Sequence, residues 1–373
     1  MVEYLSGNRI QGSSTKVSSP PQTSWKLLKR HSLPSANSTI SSGTFTTKEN
    51  LMVLHYDAGR NADSSSCGMR FNNDTNQNYT SRSSSGGGSD NNGYDDKDHI
   101  VNMRTSTNNE IFAVSDILNL PDKEKLVITT KVQNKASSSP FVHGSHAVGK
   151  WVRTSGSGTG DSSTSITSVQ SYTGSSDTFA SGSEIVVLGC NNDESDGGTN
   201  FWEQLVDETS QTTGDFSVTF TPKKYLWVQC SGEADGNNRT SFRLQYGTSS
   251  SAFGSGTYKF VTADEGGDGS DESHGDSYVS FADTLGASSQ SGNSGNTQVF
   301  TDTYIVNVAD KMKLAFHRST TNQPDTQGSS ATMDRRVTKS RWDNASEQIN
   351  QIKVIASGDT FPAGTRITVW GAD

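Results

Sequence analysis

Along much of this chain apolar residues alternate with polar ones at a spacing of two, the period of a strand that buries one face. Leu51 and Val53, within Thr44-Phe-Thr-Thr-Lys-Glu-Asn-Leu-Met-Val-Leu54, are the clearest case. The pattern returns in Thr219-Phe-Thr-Pro-Lys-Lys-Tyr-Leu-Trp-Val-Gln229, where Phe45, Lys48, Leu51 and Val53 recur as Phe220, Lys223, Leu226 and Val228. Other signatures recur in the same order. Trp25-Lys-Leu-Leu28 answers Trp202-Glu-Gln-Leu205, and Asp122-Lys-Glu-Lys-Leu126-Val-Ile128 answers Asp310-Lys-Met-Lys-Leu314-Ala-Phe316. Each copy closes on a Phe, a Gly-containing turn and an Ile-x-Val strand, from Phe179 to Gly189 and from Phe361 to Gly371. The order is constant while the spacing wanders, as duplication followed by loop insertion would leave it. Intervals of this length are whole domains, not the short units of a solenoid.

The pattern predicts an all-β protein: two tandem homologous antiparallel β-sandwiches of about eight to ten strands each. The expected division is an extended N-terminal arm over 1–22, a first sandwich over 23–190, a linker over 191–198 and a second sandwich over 199–373. The arm holds Tyr4 and Ile10 among Ser, Gly and Pro20-Pro21, and Met1-Val-Glu-Tyr-Leu5 offers apolar anchors for a partner subunit.

Composition sharpens this picture. Hydrophobic residues are 30% of the chain and charged ones 19%. Disorder normally pairs low hydrophobicity with high charge, so short apolar strands joined by long polar loops fit better. The net charge of −9, with no basic run, argues against nucleic-acid binding. No stretch of about 18 apolar residues predicts a membrane span, and no basic-then-apolar leader predicts ordinary secretion. Cys67, Cys190 and Cys230 are odd in number and irregularly spaced, so free thiols are expected.

One run carries a resemblance. Met69-Arg-Phe-Asn-Asn-Asp-Thr-Asn-Gln-Asn-Tyr79 is similar to the Arg-Phe-Asn-Gly-Asp-Thr-Gly-x-Asn-Tyr signature of jelly-roll-like β-sandwich modules in structural proteins of marine bacteriophages and archaeal viruses. Asn73 and Asn76 stand where the family has glycine, and Asn tolerates the left-handed conformations such a turn requires. The second copy is weaker, Phe242-Arg243-Leu244-Gln245-Tyr246 with Tyr258 further along. The resemblance implies a non-enzymatic virion structural protein, as capsid decoration or as a tail or fibre component in contact with the host surface. It also implies other virion proteins as partners, a homo-oligomer (a trimer by analogy), and localisation in the virion. Two other classes stand beside it: a carbohydrate-binding module or glycan-active enzyme, and a cellular surface-layer or adhesion protein.

The search for chemistry yields little. No nucleophile elbow, phosphate-binding loop or dinucleotide fingerprint stands in a fitting context, and no cofactor is expected. His143-Gly-Ser-His146 lacks the Glu of a zincin helix and reads as chance adjacency in a Ser-rich loop. The acidic, glycine-rich tracts Ser83–Asp98 and Asp264–Glu272 could wrap Ca²⁺, but neither follows EF-hand spacing and a solvated hairpin is the simpler account. Aromatic rings in polar surroundings remain as candidate ligand or partner contacts: Tyr79, Tyr94 and Tyr258, with Tyr4 in the arm. Each of the first three could equally tuck its ring into its own sandwich.

Overall fold

The computed structural model describes residues 24–60, 66–85, 91–104, 110–134, 142–155, 159–161, 164–174, 177–191, 200–234, 241–249, 253, 258–264, 270–276, 279–283, 297–322, 333–357 and 361–373. Every regular element among them is a β-strand. The chain divides into two units, with the change between Trp202 and Glu203. Asn200 and Phe201 pair back onto the start of the first unit: Lys26 Nζ donates to Asn200 Oδ1 at 2.6 Å and Phe201 N–H donates to the Trp25 carbonyl at 3.1 Å.

In the first unit an eight-stranded sheet contains β1 (Lys26–Ser32), β3 (Asn50–Asp57), β5 (Tyr79–Ser85), β6 (Asn91–Lys97), β8 (Ile111–Leu118), β9 (Lys125–Asn134), β10 (Val142–Trp151) and β14 (Glu184–Cys190). A four-stranded sheet contains β2 (Thr39–Ser41), β4 (Ser66–Phe71), β7 (Ile100–Arg104) and β13 (Val169–Thr173). A short pair, β11 (Arg153–Ser155) with β12 (Thr159–Asp161), stands apart. The large sheet runs β1-β14-β3-β8-β9-β10-β5-β6 and the small one β2-β13-β4-β7, so the early connections cross between sheets as in a jelly roll.

The second unit repeats the eight-stranded and four-stranded sheets strand for strand. Its large sheet runs β15 (Glu203–Thr209), β26 (Arg366–Ala372), β17 (Tyr225–Ala234), β22 (Thr297–Val306), β23 (Lys313–Asn322), β24 (Met333–Trp342), β19 (Tyr258–Asp264) and β20 (Ser270–Asp276). Its small sheet runs β16 (Phe216–Thr219), β25 (Gln351–Ser357), β18 (Ser241–Gly247) and β21 (Val279–Asp283). The two paired sheets of each unit hold twelve strands, more than apolar alternation predicts. The extra ones include the edge strands β5, β6 and β20, whose Ser, Asn, Asp and Gly residues show little apolar alternation.

Shared polar fixtures hold the two frames. Asn119 ends β8 and clasps Ile166 in both directions: Nδ2 donates to the Ile166 carbonyl at 3.2 Å, and Oδ1 accepts from its N–H at 2.7 Å. Asn307 does the same to Ile349, at 3.0 and 2.7 Å. Lys125 folds its ammonium onto the Leu120 and Lys123 carbonyls, and Lys313 onto those of Ala309 and Lys311. One-residue bulges at Leu28 and Leu205 re-aim those side chains. They lie over Gly189 and Gly371, where a Cβ would fall 2.6 and 2.5 Å from a leucine methyl.

Between the sheets lies one apolar core per unit. Leu51, Val53, Phe71, Trp151 and Val187 belong to the first; Leu226, Val228, Tyr246, Trp342 and Val369 belong to the second. On the opposite face of the second large sheet a row of rings crosses four neighbouring strands. Trp370, Trp227, Tyr304 and Phe316 stack with centroids 6.0, 5.8 and 5.4 Å apart, and the Trp227 and Tyr304 planes differ by 3°.

The registers correct one alignment. Arg70 sits opposite Gln170 and Gln245 opposite Lys353, while Val169 and Ile352 hold equivalent places. Gln245 therefore occupies the position of Arg70, and Arg243 that of Gly68. Side chains repeat every two residues along a strand, so a slip of two preserves the inward set and is invisible to alternation.

Candidate contact surface of the first unit

The outer face of β9 and β10 stands out because its polarity is inverted. Lys125, Val127, Thr129, Lys131 and Gln133 turn inward and are buried, whereas Leu126 and Ile128 turn outward and are 48% and 57% exposed. Val148 on β10 is 50% exposed. In the second unit the matching positions are Leu314, Phe316 and Lys339, all buried, and Phe316 and Lys339 face one another across β23 and β24. A one-residue slip of β9 would put Leu126 and Ile128 inside. Side chains on the inner face oppose that slip. Lys125 ties the preceding turn, and Thr129 Oγ1 lies 2.8 Å from Ser115 Oγ. Across the patch, Asp116 lies opposite Ile128 on β8 and Arg82 lies opposite Val148 on β5. Lys150 and Glu124 pair beside it at 3.5 Å.

Behind this strand the first unit carries buried charge. Arg60 Nε donates to Asp57 Oδ2 at 2.6 Å, Nη1 lies 3.7 Å from Asp177 Oδ2, and the guanidinium sits 4.9 Å from the Phe179 ring centre. Gly59 N–H and Ser183 Oγ also donate to Asp57. Burial pushes the Asp57 carboxyl up to about 6 against the pull of Arg60. Burial, then Arg60, brings Lys131 down to about 7 and His55 down to about 3. Burial raises the Cys67 thiol. The second unit has Cys230, Gly232, Phe242 and Ser319 where the first has His55, Asp57, Cys67 and Lys131, so the same frame folds without this cluster.

A third group sits on the outer face of the small sheet. Asp98 accepts from Arg70, lies 2.6 Å from His99 Nδ1, and is near the Tyr172 hydroxyl; Arg70 stacks on the Tyr172 ring at 3.6 Å. Burial works to raise the Asp98 pKa, but His99 and Arg70 hold it below the usual range. Gly68 leaves the space the His99 ring fills. These groups satisfy one another and latch the residues before β7 onto β4 and β13. The second unit has Gln245 and Ile355 in place of Arg70 and Tyr172.

Tyr79 and Tyr258 are buried, and their hydroxyls lie inside too. Tyr79 Oη accepts from Phe71 N–H at 2.9 Å, and Tyr258 Oη from Tyr246 N–H at 2.7 Å. Each ring stacks on a core tryptophan, Trp151 or Trp342, so neither serves as an exposed contact: short polar neighbours in sequence do not keep a ring in solvent when its strand turns it inward. Tyr94 lies on β6 with its side chain outside the described residues, and Tyr4 lies outside them altogether. The signature turn is structural. Asn72 and Asn73 adopt φ of 53° and 55°, and Asn72 Oδ1 accepts from the N–H groups of Thr167 and Ser168. Burial works to raise the Asp74 pKa, and donors from Asn78, Trp151 and Asn76 more than offset it. His143 and His146 lie on β10, not in a loop; His146 Nδ1 is 3.3 Å from Thr130 Oγ1. All three cysteines are free and buried. Among the described residues no group of three or more His, Cys, Asp or Glu side chains could hold a metal ion, and no helix is long and apolar enough to cross a membrane. Much of the two acidic tracts lies outside the described side chains.

No family model matches the chain, and no curated protein matches it. A solved structure of mouse laminin alpha1 chain, domains LG4-5, aligns over 95% of this chain and 92% of that chain at 8% identity, with a TM-score of 0.15. A likeness that low carries no argument.

Proposed function

We propose that this chain is a non-enzymatic structural protein of a virus particle, a capsid decoration or tail component, whose first sandwich presents a face to a neighbouring subunit. The observation that carries the contact role is the inverted strand β9, which leaves Leu126, Ile128 and Val148 bare beside buried Lys125, Thr129 and Lys131. Exposed apolar groups gathered on one sheet face favour association over solvation. The particle itself rests on the resemblance of residues 69–79. In support, the matched residues Asn72, Asp74, Asn78 and Tyr79 all make turn-closing bonds, the role a framework signature should have. Two duplicated polar pairs, Asn119 with Asn307 and Lys125 with Lys313, also hold turns. Density-gradient fractionation of particles from the source culture, followed by peptide mass spectrometry, tests the reading. Co-migration with particles is expected, and recovery in the cell fraction alone would overturn it.

A further inference from the structure

Asp116 lies opposite Ile128 on β8 and β9, Val148 lies opposite Arg82 on β10 and β5, and β9 neighbours β10. The register of the equivalent β23 and β24, where Phe316 faces Lys339, joins the two pairs into one row, Asp116, Ile128, Val148, Arg82. An acid stands at one end, a base at the other, and two half-exposed apolar side chains lie between. We infer that this face pairs with the same face of a second copy, about a two-fold axis parallel to the strands and passing between Ile128 and Val148. The inference rests on reading the face as a contact surface and names its occupant.

The symmetry follows from the order of the row. A contact between identical surfaces requires that residue i meet j while j meets i. Rotation about an axis along the strands reverses the row, so Asp116 of each copy faces Arg82 of the other and Ile128 faces Val148. Rotation about an axis along the row would set Asp116 against Asp116 and Arg82 against Arg82, which like-charge repulsion opposes. Charge also favours this place over others. The chain carries −9 overall, but Asp116, Glu124, Arg82 and Lys150 balance around the patch, so two copies meet here without net repulsion. The equivalent positions of the second unit, Leu314, Phe316 and Lys339, are buried, whereas Ile128 and Val148 in the first are exposed.

Sedimentation equilibrium on the full chain and four variants tests the proposal. Asp116 and Arg82 are three strands apart, roughly 14 Å at about 4.8 Å per strand, so they cannot pair within one sheet. The wild type is expected to be a dimer. Asp116→Arg and Arg82→Asp should each weaken it roughly tenfold or more. The double reversal should restore it, and Ile128→Lys should abolish it, all with unchanged circular dichroism and melting. A monomeric or trimeric wild type would overturn the proposal, and so would a double reversal no better than either single change. Dimers in solution with no chain in particles would sink the particle reading alone; chain in particles without the dimer would sink this pairing alone.

Discussion

Lys131 offers the sharpest test of the charged interior. Its ammonium is fully buried and feels the charges of Arg60 and Cys67; Arg60 itself pairs with Asp57 and lies 3.7 Å from Asp177. Its pKa falls from 10.5 to about 7 on folding. At pH 7 and below, the folded state therefore bears a cost on the order of 5 kcal/mol, from about 1.4 kcal/mol per unit. Above pH 7 the folded lysine sheds its proton while the unfolded one keeps it, so stability rises with pH. Between pH 7 and 9 the rise should be about 2 kcal/mol. Asp57, raised to about 6, and His55, lowered to about 3, titrate mainly below this window; the Cys67 thiol, at 9.0 when unfolded and raised on folding, trims the rise at its upper end by less than about 1 kcal/mol. Lys131→Met keeps the volume and removes the charge. It should flatten the pH slope and stabilise the first unit by several kcal/mol at pH 7, as apolar replacements of buried ions often do. Urea titrations read by pulsed hydrogen exchange of β8 and β9 peptides isolate the first unit. A wild type with no slope between pH 7 and 9, or a variant with the same slope, would refute the reasoning.

Other expectations follow from the shared frame. Asn307→Ala removes the Ile349 clasp and leaves a buried N–H without its acceptor; the second unit should lose about 3 kcal/mol or more by urea denaturation, and a loss below about 1 kcal/mol would contradict the clasp. Gly371→Ala places a Cβ 2.5 Å from Leu205 Cδ1 and should cost about 1–3 kcal/mol, with Leu205→Ala recovering part of it; independent, additive losses would show the contact is not the cause. His317, buried between Thr303 and Ser340, is lowered to about 3 by burial, so the stability it gives above pH 6.5 is lost as pH falls toward 3. His317→Gln should move the acid-unfolding midpoint of the second unit downward, and an unchanged midpoint would place the acid sensitivity elsewhere.

The frame was legible wherever one face of a strand is apolar. Leu51, Val53, Leu226 and Val228 declare β3 and β17, and the repeated Asp-Lys-x-Lys signature marks the turn that Lys125 and Lys313 tie. Three features were not legible. The edge strands β5, β6 and β20 are mostly Ser, Asn, Asp and Gly, so they carry little apolar periodicity. Tyr79 and Tyr258 sit among polar neighbours in sequence yet point into the core, because the strand and not the local composition decides which way a ring turns. The bare face was hidden for the opposite reason: alternation alone would turn Leu126 and Ile128 inward, and only Lys125 and Thr129, bonded on the inner side, reveal the reversal. Asn119 and Asn307 could have been found as the one Asn that follows the same strand in both copies.

The stacked row on the second large sheet has an optical consequence. Trp227 and Trp370 lie 6.0 Å apart with Tyr304 nearly coplanar in orientation beyond Trp227, close enough for their electronic transitions to mix. The folded second unit should therefore show an exciton couplet in circular dichroism that vanishes when Trp227 or Trp370 becomes Phe. Met52 and Leu188 hold those two places in the first unit, so a spectroscopist gains a signal that reports on one half of a duplicated molecule and ignores its twin.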